Sequence, residues 1–531
     1  MNRRNFLKGS VAMGLCAGSE QVLMAGEKEA TLTTEKAFNT KKESKIKKLK
    51  PTKKPHIIFI MSDQHRGDAL HCMGNKVIKT PNIDALAEEG TLFVCAHTSA
   101  PSSTPARAGL LTGLSPWHHG MLGYGRVAEH YKYEMPCMLR ELGYYTFGVG
   151  KMHWFPQKTL HGFHGTLVDE SGRNETPNFI SDYHAWFNLH APGKDPDCTG
   201  IGWNEHRAAA YKLDKSLHPT TWTGETAREL ISNYEDERPL YLKISFARPH
   251  SPYDPPQRYV DLYKDVEISA PYKGDWANKF AKKTTEEEAG KTAAFANFGD
   301  EYAKKSKRYY YANVSFIDDQ IGQIIQLLKD RGMYDNAIIC YTADHGDMLG
   351  DHYHWRKTYA YEGSSKIPFI IKWPTSFKER DTSIKQVEKP VELRDFLPTF
   401  LELVGGDVPK EIDGQSLLSL VTQKDPVWRK YIDMEHSTCY SKENYWCALT
   451  DGKIKYIWFF HTGEEQLFDL TTDAHEEHNL FARETYATKL KEMRAAMVDH
   501  LSERGDGFVK NGKLVIRKET MLYGPNYPRK V

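Results

Sequence analysis

The sequence lacks an excess of charge of either sign. Its 71 basic and 70 acidic residues leave a formal net charge of +1 over 531 residues. A protein that binds nucleic acid through a general positive field needs a clear basic excess, so we predict no nucleic-acid partner. A balanced total still permits a local basic pocket that binds a small anion.

Long apolar runs are also missing, and cysteines are few. Beyond the extreme N-terminus no stretch is apolar enough to span a bilayer, which argues against stable membrane insertion. None of the eight cysteines belongs to a Cys-x-x-Cys pair, which argues against a thiolate zinc site. Cys16 lies in a segment that we expect to be removed, so an odd number remains. At least one free thiol is therefore expected, and a dense disulfide framework is not.

The chain begins with a segment that resembles an export signal, which we place at residues 1–26. Residues 2–8 are similar to the twin-arginine pattern, and a weakly apolar run follows them. A general secretory signal is the alternative, and the residues before Cys16 are a poor context for a lipid anchor. Residues 27–54 are rich in Lys, Thr and Glu, which predicts a flexible Lys-rich linker. The protein is therefore expected to be exported, in bacteria to the periplasm.

Four apolar runs after this linker each end in ionisable residues. Such runs are typical of parallel strands that are buried on both faces. Ligands of open α/β sheets bind outside the carboxyl ends of the strands, so the polar clusters are expected to converge at one sheet edge. The runs and their polar ends are residues 56–61 before Asp63 and Gln64, 145–150 before Lys151 and His153, 240–246 before Arg248 and His250, and 337–343 before Asp344, His345 and Asp347.

Helical patterns lie between these strands, at residues 82–90, 318–331 and 393–404. Beyond about residue 425 shorter strands such as 454–458 appear, followed by a helix near 486–504. We predict an α/β fold with a catalytic domain over residues 55–425, built on a mostly parallel central sheet flanked by helices. A smaller C-terminal α+β subdomain with an antiparallel sheet is predicted over residues 426–531.

The stretch from Pro101 to Gly113 carries the most specific pattern of the chain. Pro105, two residues after Ser103, suits the first turn of a helix, and Arg107 follows Ser103 by one turn. Ser103 would then lie at a helix N-terminus, where free N–H groups and the helix dipole favour an anion. A serine that only caps a core helix is the other interpretation, and these residues alone leave both open.

This stretch resembles the Cys/Ser-x-Pro-x-Arg signature of the formylglycine-dependent type I sulfatases. Residues 465–470 and 476–480 are similar to a C-terminal landmark of that family, so the resemblance extends over most of the chain. It implies an alkaline-phosphatase-like fold and hydrolysis of sulfate esters. It also implies that a maturation enzyme oxidises Ser103 to formylglycine (3-oxoalanine), whose hydrated form is the nucleophile. The serine form resembles the bacterial branch.

A metal site is predicted from oxygen-rich side chains at two strand ends. Asp63, Gln64 and Asp344 offer the hard donors that Ca²⁺ or Mg²⁺ prefers, and His345 adds a nitrogen that also suits Mn²⁺. We predict that the ion is Ca²⁺, with Mg²⁺ or Mn²⁺ as alternatives, and that these residues bind it together with the modified Ser103. A turn or a helix cap would explain either motif alone. The Gln64 and His345 pairing also resembles the branch shared with choline sulfatases and phosphonate monoester hydrolases, so a phosphonate or phosphate monoester hydrolase stays open.

The resemblance further implies catalytic roles for Arg107, Lys151, His153, His250 and Lys357. Arg107 would hold the nucleophile and Lys151 would supply a point charge, while the Lys-x-His spacing favours a sulfatase over a phosphonate hydrolase. His153 is the expected base for releasing sulfate. His250, with Lys357, is expected to protonate the leaving alcohol. A core histidine and a solvated lysine are the ordinary alternatives.

The substrate is the least determined feature. Aromatic and basic side chains around a pocket would suit a sulfated sugar, and by analogy with exported bacterial relatives we expect a glycosaminoglycan-derived oligosaccharide. A non-catalytic carbohydrate-binding protein with an unmodified Ser103 is a further alternative. The candidate pocket residues are Arg173, His218, Trp222, His352, His354, His436 and Lys455.

Overall fold

The structure is a computed structural model that describes residues 48–49, 52–171, 173–442 and 444–529. The export signal predicted at residues 1–26, and the linker apart from residues 48–49 and 52–54, lie outside the described residues. Within the described part, the model contains no helix whose length and apolarity would let it cross a bilayer.

Strands and helices alternate between residue 56 and about residue 400, and strands dominate in the described residues after them. The strands of the described residues are β1 (His56–Asp63), β2 (Thr91–Phe93), β3 (Ala96–His97), β4 (Tyr145–Gly150), β5 (Gly165–Val168), β6 (Leu240–Pro249), β7 (Ala337–Ala343), β8 (Phe369–Lys372), β9 (Gln386–Val387), β10 (Val391–Glu392), β11 (Ile432–His436), β12 (Trp446–Thr450), β13 (Ile454–Phe459), β14 (Glu465–Asp469), β15 (Val509–Lys510) and β16 (Lys513–Leu514). The α-helices of five or more described residues are α1 (Pro81–Glu89), α2 (Ser103–Thr112), α3 (Met135–Glu141), α4 (Asp182–His190), α5 (Pro219–Asn233), α6 (Asp300–Asp330), α7 (Phe396–Leu403), α8 (Leu418–Thr422) and α9 (Ala487–Ser502).

The central sheet has the strand order β5-β4-β6-β1-β7-β8-β2-β9. The first five strands of this order are parallel, and β8 runs antiparallel to both of its neighbours. The four strands predicted from apolar runs are β4, β6, β1 and β7, which are consecutive neighbours. The prediction of a mostly parallel central sheet is therefore confirmed.

Both faces of this sheet are covered by helices. Alternate residues of β1 enter two separate cores, Ile57 and Phe59 on one face and Ile58 and Ile60 on the other. Helices α2, α3 and α7 contribute to the first core, and α1, α5 and α6 contribute to the second. Burial on two faces explains why the strand is apolar without alternation.

Helix α6 is longer than predicted, because it begins at Asp300 instead of residue 318. Its second half carries the aliphatic stripe that the sequence revealed, and Ile321 and Leu328 pack against the sheet. Its first half packs through residues such as Tyr310 against tyrosines of another cluster, including Tyr253. This face lacks aliphatic side chains at helical spacing, so the pattern did not reveal it.

A second sheet forms after residue 430. Strands β11, β12, β13 and β14 pair in sequence order and are antiparallel throughout. Helix α9 packs on this sheet through Leu490, Met493 and Met497. The predicted antiparallel C-terminal sheet and terminal helix are confirmed, while the exact domain boundary stays a prediction.

Candidate active site

Ser103 is the first residue of helix α2. Ser102 occupies the N-cap position in extended backbone (φ −155°), and all ten residues of the helix are buried. The Ser103 hydroxyl lies 3.1 Å from Asp63 Oδ2 and 3.0 Å from His345 Nε2. The predicted helix N-terminus at Ser103 is confirmed, and the hydroxyl faces side chains from two strand ends.

The four predicted strand ends meet around Asp63, the last residue of β1. Lys151 and Asp344 directly follow β4 and β7, and His250 directly follows β6. Lys151 Nζ lies 2.6 Å from Asp63 Oδ2, and the His250 backbone N–H donates to the Asp63 carbonyl oxygen over 3.1 Å. Since these strands are parallel neighbours, their ends converge at one edge as expected.

Arg107 joins the two aspartates of the site. Its Nε donates to Asp344 Oδ2 over 2.9 Å and its Nη2 to Asp63 Oδ2 over 3.2 Å, and all three side chains are fully buried. Burial opposes ionisation of Asp63, but the charges of Lys151 and Arg107 hold its pKa well below the usual range. The Asp63 carboxylate is therefore ionised despite its burial.

Asp63, Asp344 and His345 could hold a metal ion. Their ligand atoms lie within 4.8 Å of one another, and no other group of three or more His, Cys, Asp or Glu side chains among the described residues is this compact. Gln64 is oriented beside them, because its Nε2 donates to Asp347 Oδ2 over 2.5 Å. Two carboxylates, an amide oxygen and an imidazole fit Ca²⁺, Mg²⁺ or Mn²⁺.

Lys357 and His250 form a proton-sharing pair on another side of the site. Lys357 Nζ lies 2.6 Å from His250 Nε2 and donates to Gln64 Oε1 over 2.7 Å. His250 Nδ1 lies 2.8 Å from the Ser251 carbonyl oxygen, so Nδ1 carries the hydrogen and Nε2 accepts from the ammonium. Burial lowers the pKa of Lys357 to about 8. Burial, followed by the Lys357 charge, lowers the pKa of His250 well below its usual value. Near neutral pH the shared proton therefore resides on Lys357.

His153 is a neutral imidazole in the same site. Burial, followed by the charges of Arg173 and Lys151, lowers its pKa well below the usual value. Its Nε2 lies 3.4 Å from the Tyr124 hydroxyl, and its backbone has a left-handed φ of 61°. A neutral imidazole can accept a proton, which is the property that a base requires.

A cavity of about 580 Å³ opens beside these residues, and His153, His250 and Lys357 line it. Trp203 also lines it and stacks on the His250 ring with centroids 3.9 Å apart. This volume lies within the range of small-ligand pockets. Other lining residues with polar side chains include Tyr124, Ser171, Arg173, Asp195, Asp197, Asn204, Glu205 and Tyr440.

Of the seven candidate pocket residues, the structure brings Arg173 to this cavity. Three of the others, all histidines, have different positions. His218 is buried and accepts a backbone N–H in the first turn of α5, and His436 Nε2 lies 2.7 Å from the Ser102 hydroxyl. His352 accepts a backbone N–H over 2.9 Å and lines a separate cavity of about 600 Å³. None of the three histidines lines the cavity that contains His153, His250 and Lys357.

The remaining candidates also lie elsewhere. Trp222 is buried in the core beneath the sheet. His354 packs among aromatic rings of another cleft. Lys455 is fully buried and forms ion pairs of 2.7 Å with both Glu362 and Glu476. None of the three lines the cavity that contains His153, His250 and Lys357.

Three residues at the site were not assigned from the sequence. Asp347 accepts from the Gln64 amide and from the Arg356 backbone N–H, next to Lys357. Glu170 accepts the His153 backbone N–H, and Trp203 covers His250. Asp347 follows a predicted strand end and could have been included by the same argument. Trp203 lies in an irregular segment without any such signal.

Comparison with protein families matches nearly the whole described chain. The family model described as "Sulfatase" matches residues 55–406, and the model described as "N-sulphoglucosamine sulphohydrolase, C-terminal" matches residues 350–503. A curated relative, an arylsulfatase of Clostridium perfringens, is 35% identical over 475 residues, which cover 87% of this chain and 97% of that protein.

Solved structures share the fold at lower identity. The structure of BT4656 in complex with its substrate D-glucosamine-2-N,6-O-disulfate has a TM-score of 0.69 at 22% identity and covers 86% of this chain and 99% of that one. The phosphonate monoester hydrolase of Agrobacterium radiobacter has a TM-score of 0.72 at 23% identity and covers 88% and 100%. These two similarities establish the architecture.

Proposed function

Because the chain belongs to the sulfatase family of sulfuric ester hydrolases, we propose that it removes sulfate from a sulfated carbohydrate with position 103 as the nucleophile. One observation carries this proposal. Ser103 begins helix α2 with its hydroxyl 3.1 Å from Asp63 Oδ2 and 3.0 Å from His345 Nε2. A hydroxyl at a helix N-terminus, beside a buried carboxylate and a buried imidazole that can bind a metal ion, is positioned to act on a bound anion.

Two groups would complete this site. Oxidation of Ser103 to formylglycine by a separate maturation enzyme would supply an aldehyde whose hydrate offers one hydroxyl for attack and another that can lose a proton. Asp63, Gln64, Asp344 and His345 would hold Ca²⁺, or else Mg²⁺ or Mn²⁺, and the cation would offset negative charge on the reacting oxygens.

The residues of the chain divide the work of hydrolysis. Water is added across the ester: the bond between sulfur and the alcohol oxygen breaks, the alcohol gains a proton, and sulfate leaves. Lys151 faces the centre of the site and offsets charge on the sulfuryl oxygens, while Arg107 holds both aspartates. The Lys357 ammonium, which is oriented by donating to His250 Nε2, donates one of its other hydrogens to the alcohol oxygen. His153, which is neutral, accepts the proton that must be removed when sulfate is released.

The carbohydrate part of the proposal is supported by the cavity and by one structural neighbour. A volume of about 580 Å³, lined by Trp203 and Tyr124, can hold a saccharide unit. BT4656, whose fold is shared, acts on a disulfated glucosamine. We therefore propose a glycosaminoglycan-derived oligosaccharide as the substrate class.

A phosphonate or phosphate monoester hydrolase is the second candidate. The Gln64 and His345 combination favours it, and the Agrobacterium hydrolase has the same fold. Turnover of an aryl sulfate and of an aryl phosphonate by the same preparation separates the two functions. The sulfatase proposal predicts the higher kcat/KM for the sulfate.

The site of action belongs to the same proposal. The N-terminal residues 1–26, with their twin-arginine-like start, support export to the periplasm. A polysaccharide fragment taken up by a bacterium would meet an exported enzyme there.

A sulfate-release screen across defined sulfated saccharides tests the proposal. Wild-type protein should release sulfate from at least one of them, and Ser103→Ala should release none, because alanine cannot supply the nucleophile. The melting temperature of the variant should stay close to wild type, which separates lost chemistry from lost folding. Full activity of Ser103→Ala, or a folded wild type that is inactive on every sulfate ester, would overturn the proposal.

A further inference from the structure

We propose that Glu170 is a positioning residue that holds His153 in its working conformation. This inference rests on the proposed function, in which His153 accepts a proton during sulfate release. Glu170 does not line the cavity, so it acts through His153 and not on the substrate.

Glu170 lies just beyond the end of a fifth parallel strand at the same sheet edge. Strand β5 ends at Val168 and pairs with β4, which ends directly before Lys151. The pairing places the residues after β5 beside the turn formed by Lys151, Met152 and His153. Glu170 therefore reaches this turn from a neighbouring strand end, as the other site residues do.

One oxygen of Glu170 accepts two successive backbone hydrogens. Oε1 lies 3.1 Å from the Met152 nitrogen and 3.0 Å from the His153 nitrogen. Two successive N–H groups that point at one atom form a small anion-binding concavity of the backbone. Here the anion is a side chain of the protein itself, and it is fully buried.

The backbone of His153 requires such support. Its φ of 61° is left-handed, a region that residues with a Cβ seldom occupy without surrounding contacts. The His153 side chain supplies little anchoring, because Nδ1 is buried without a hydrogen-bond partner and Nε2 has one long contact with Tyr124. The two bonds to Glu170 are therefore the contacts that keep the imidazole at the site.

The second oxygen of Glu170 is paired with Arg173. Arg173 forms ion pairs with both Glu170 and Glu175, and its side chain is only 9% exposed. This pairing compensates the buried Glu170 charge and uses most of the guanidinium. Arg173 thus lines the cavity while its guanidinium is paired with Glu170 and Glu175. These ion pairs explain the position of Arg173 without a direct role in substrate binding.

Substitution of Glu170 separates positioning from general stability. Glu170→Gln keeps an oxygen that can accept both N–H groups, whereas Glu170→Ala removes it and Glu170→Asp withdraws it by one methylene group. Alcohol and sulfate are measured separately after mixing with a nitrophenyl sulfate. We expect first-turnover alcohol release in the Ala and Asp variants to stay within about threefold of wild type, while steady-state sulfate release falls about 100-fold, the low end of general-base contributions. Glu170→Gln should restore most of this loss.

A second readout does not depend on activity. Hydrogen–deuterium exchange of the peptide that spans residues 151–155 reports the two amides directly. Glu170→Ala and Glu170→Asp should exchange faster in this peptide than wild type, and Glu170→Gln should resemble wild type. The double variant Glu170→Ala with His153→Ala should release sulfate no more slowly than His153→Ala alone, because the two residues act as one unit.

Defined outcomes overturn the inference. One is equal slowing of first-turnover alcohol release and steady-state sulfate release. The others are additive losses of activity in the double variant, and unchanged hydrogen–deuterium exchange in the Ala and Asp variants. If Glu170→Ala does not fold, a Glu170→Asp variant that behaves like Glu170→Gln overturns it as well. Failure of the proposed function looks different, because wild type then hydrolyses no sulfate ester while the exchange experiment still tests the positioning contact.

Discussion

At the residue scale, the site keeps a proton donor apart from a proton acceptor. Lys357 holds a proton 2.6 Å from His250 Nε2, with a pKa lowered by burial to about 8. His153 stays neutral because burial and neighbouring cations lower its pKa. The environments of the two groups therefore keep one protonated and the other neutral. An acid step followed by a base step requires such a pair.

Lys357→Ala tests the donor through the leaving group. A sugar alcohol needs a proton as it leaves, so hydrolysis of a sugar sulfate should slow by about 10²- to 10⁴-fold. A nitrophenolate leaves without a proton, so kcat for nitrophenyl sulfate should fall much less. The ratio of the two losses is the measurement, and equal losses for both esters would assign Lys357 to charge or binding alone.

The same scale shows what the sequence could and could not predict. Asp63, Lys151 and His250 were found because each lies at the carboxyl end of an apolar strand. Glu170 follows a strand too, but β5 is four residues long and two of these residues are only partly buried, so its pattern was too weak to find. His218 and His436 were candidate pocket residues, but contacts that the sequence does not reveal determine where their rings lie. His218 caps helix α5, and His436 contacts the Ser102 hydroxyl.

At the element scale, β1 and β7 gather buried negative charge at one edge. Asp63 and Asp344 are fully buried, and Arg107 binds both. A bound divalent cation would add a favourable interaction to the folded state that the unfolded chain cannot make. Metal binding is therefore expected to appear as stability, independent of catalysis.

Metal removal should lower the melting temperature. At a free metal concentration 100 times Kd, binding adds about 2.7 kcal/mol to the free energy of unfolding. Thermal melting with excess chelator, and after Ca²⁺, Mg²⁺ or Mn²⁺ is restored, measures this difference. Asp344→Asn is the control, and its melting temperature should respond weakly to the ion. Identical melting of wild type with chelator and with each ion would contradict the proposed metal site.

Elements were predictable where one packing environment covers their whole length. Strands β1, β6 and β7 contribute residues to the cores on both faces of the sheet, and their sequences show it. Helix α6 crosses two clusters, so its aliphatic half was predicted and its tyrosine-rich half was not.

At the scale of the whole molecule, the C-terminal sheet supports the active-site loop. Trp446 Nε1 in β12 donates to the Thr358 carbonyl oxygen over 2.9 Å, and Asn444 Nδ2 donates to the Thr358 hydroxyl over 2.7 Å. Thr358 follows Lys357, so the second sheet holds the loop that presents the proton donor. Lys455 in β13 strengthens this contact region through its ion pair with Glu362.

Lys455→Ala should therefore destabilise the protein strongly. It leaves the carboxylates of Glu362 and Glu476 without the cation they share, and breaking a buried ion pair typically costs about 3–5 kcal/mol. Denaturant unfolding measures the change. Lys453→Ala is the matched control, since Lys453 is exposed two residues earlier and should change stability by less than about 0.5 kcal/mol. Equal stability of the two variants would contradict this role for Lys455.

Mass spectrometry of the tryptic peptide of residues 80–107 tests the central claim most directly. Oxidation of Ser103 to formylglycine makes this peptide ~2 Da lighter, and it is the step that activates a weak nucleophile. Preparations with different fractions of the lighter peptide should show sulfate-release rates in proportion to that fraction. Full activity in a preparation that contains only unmodified serine would contradict the account.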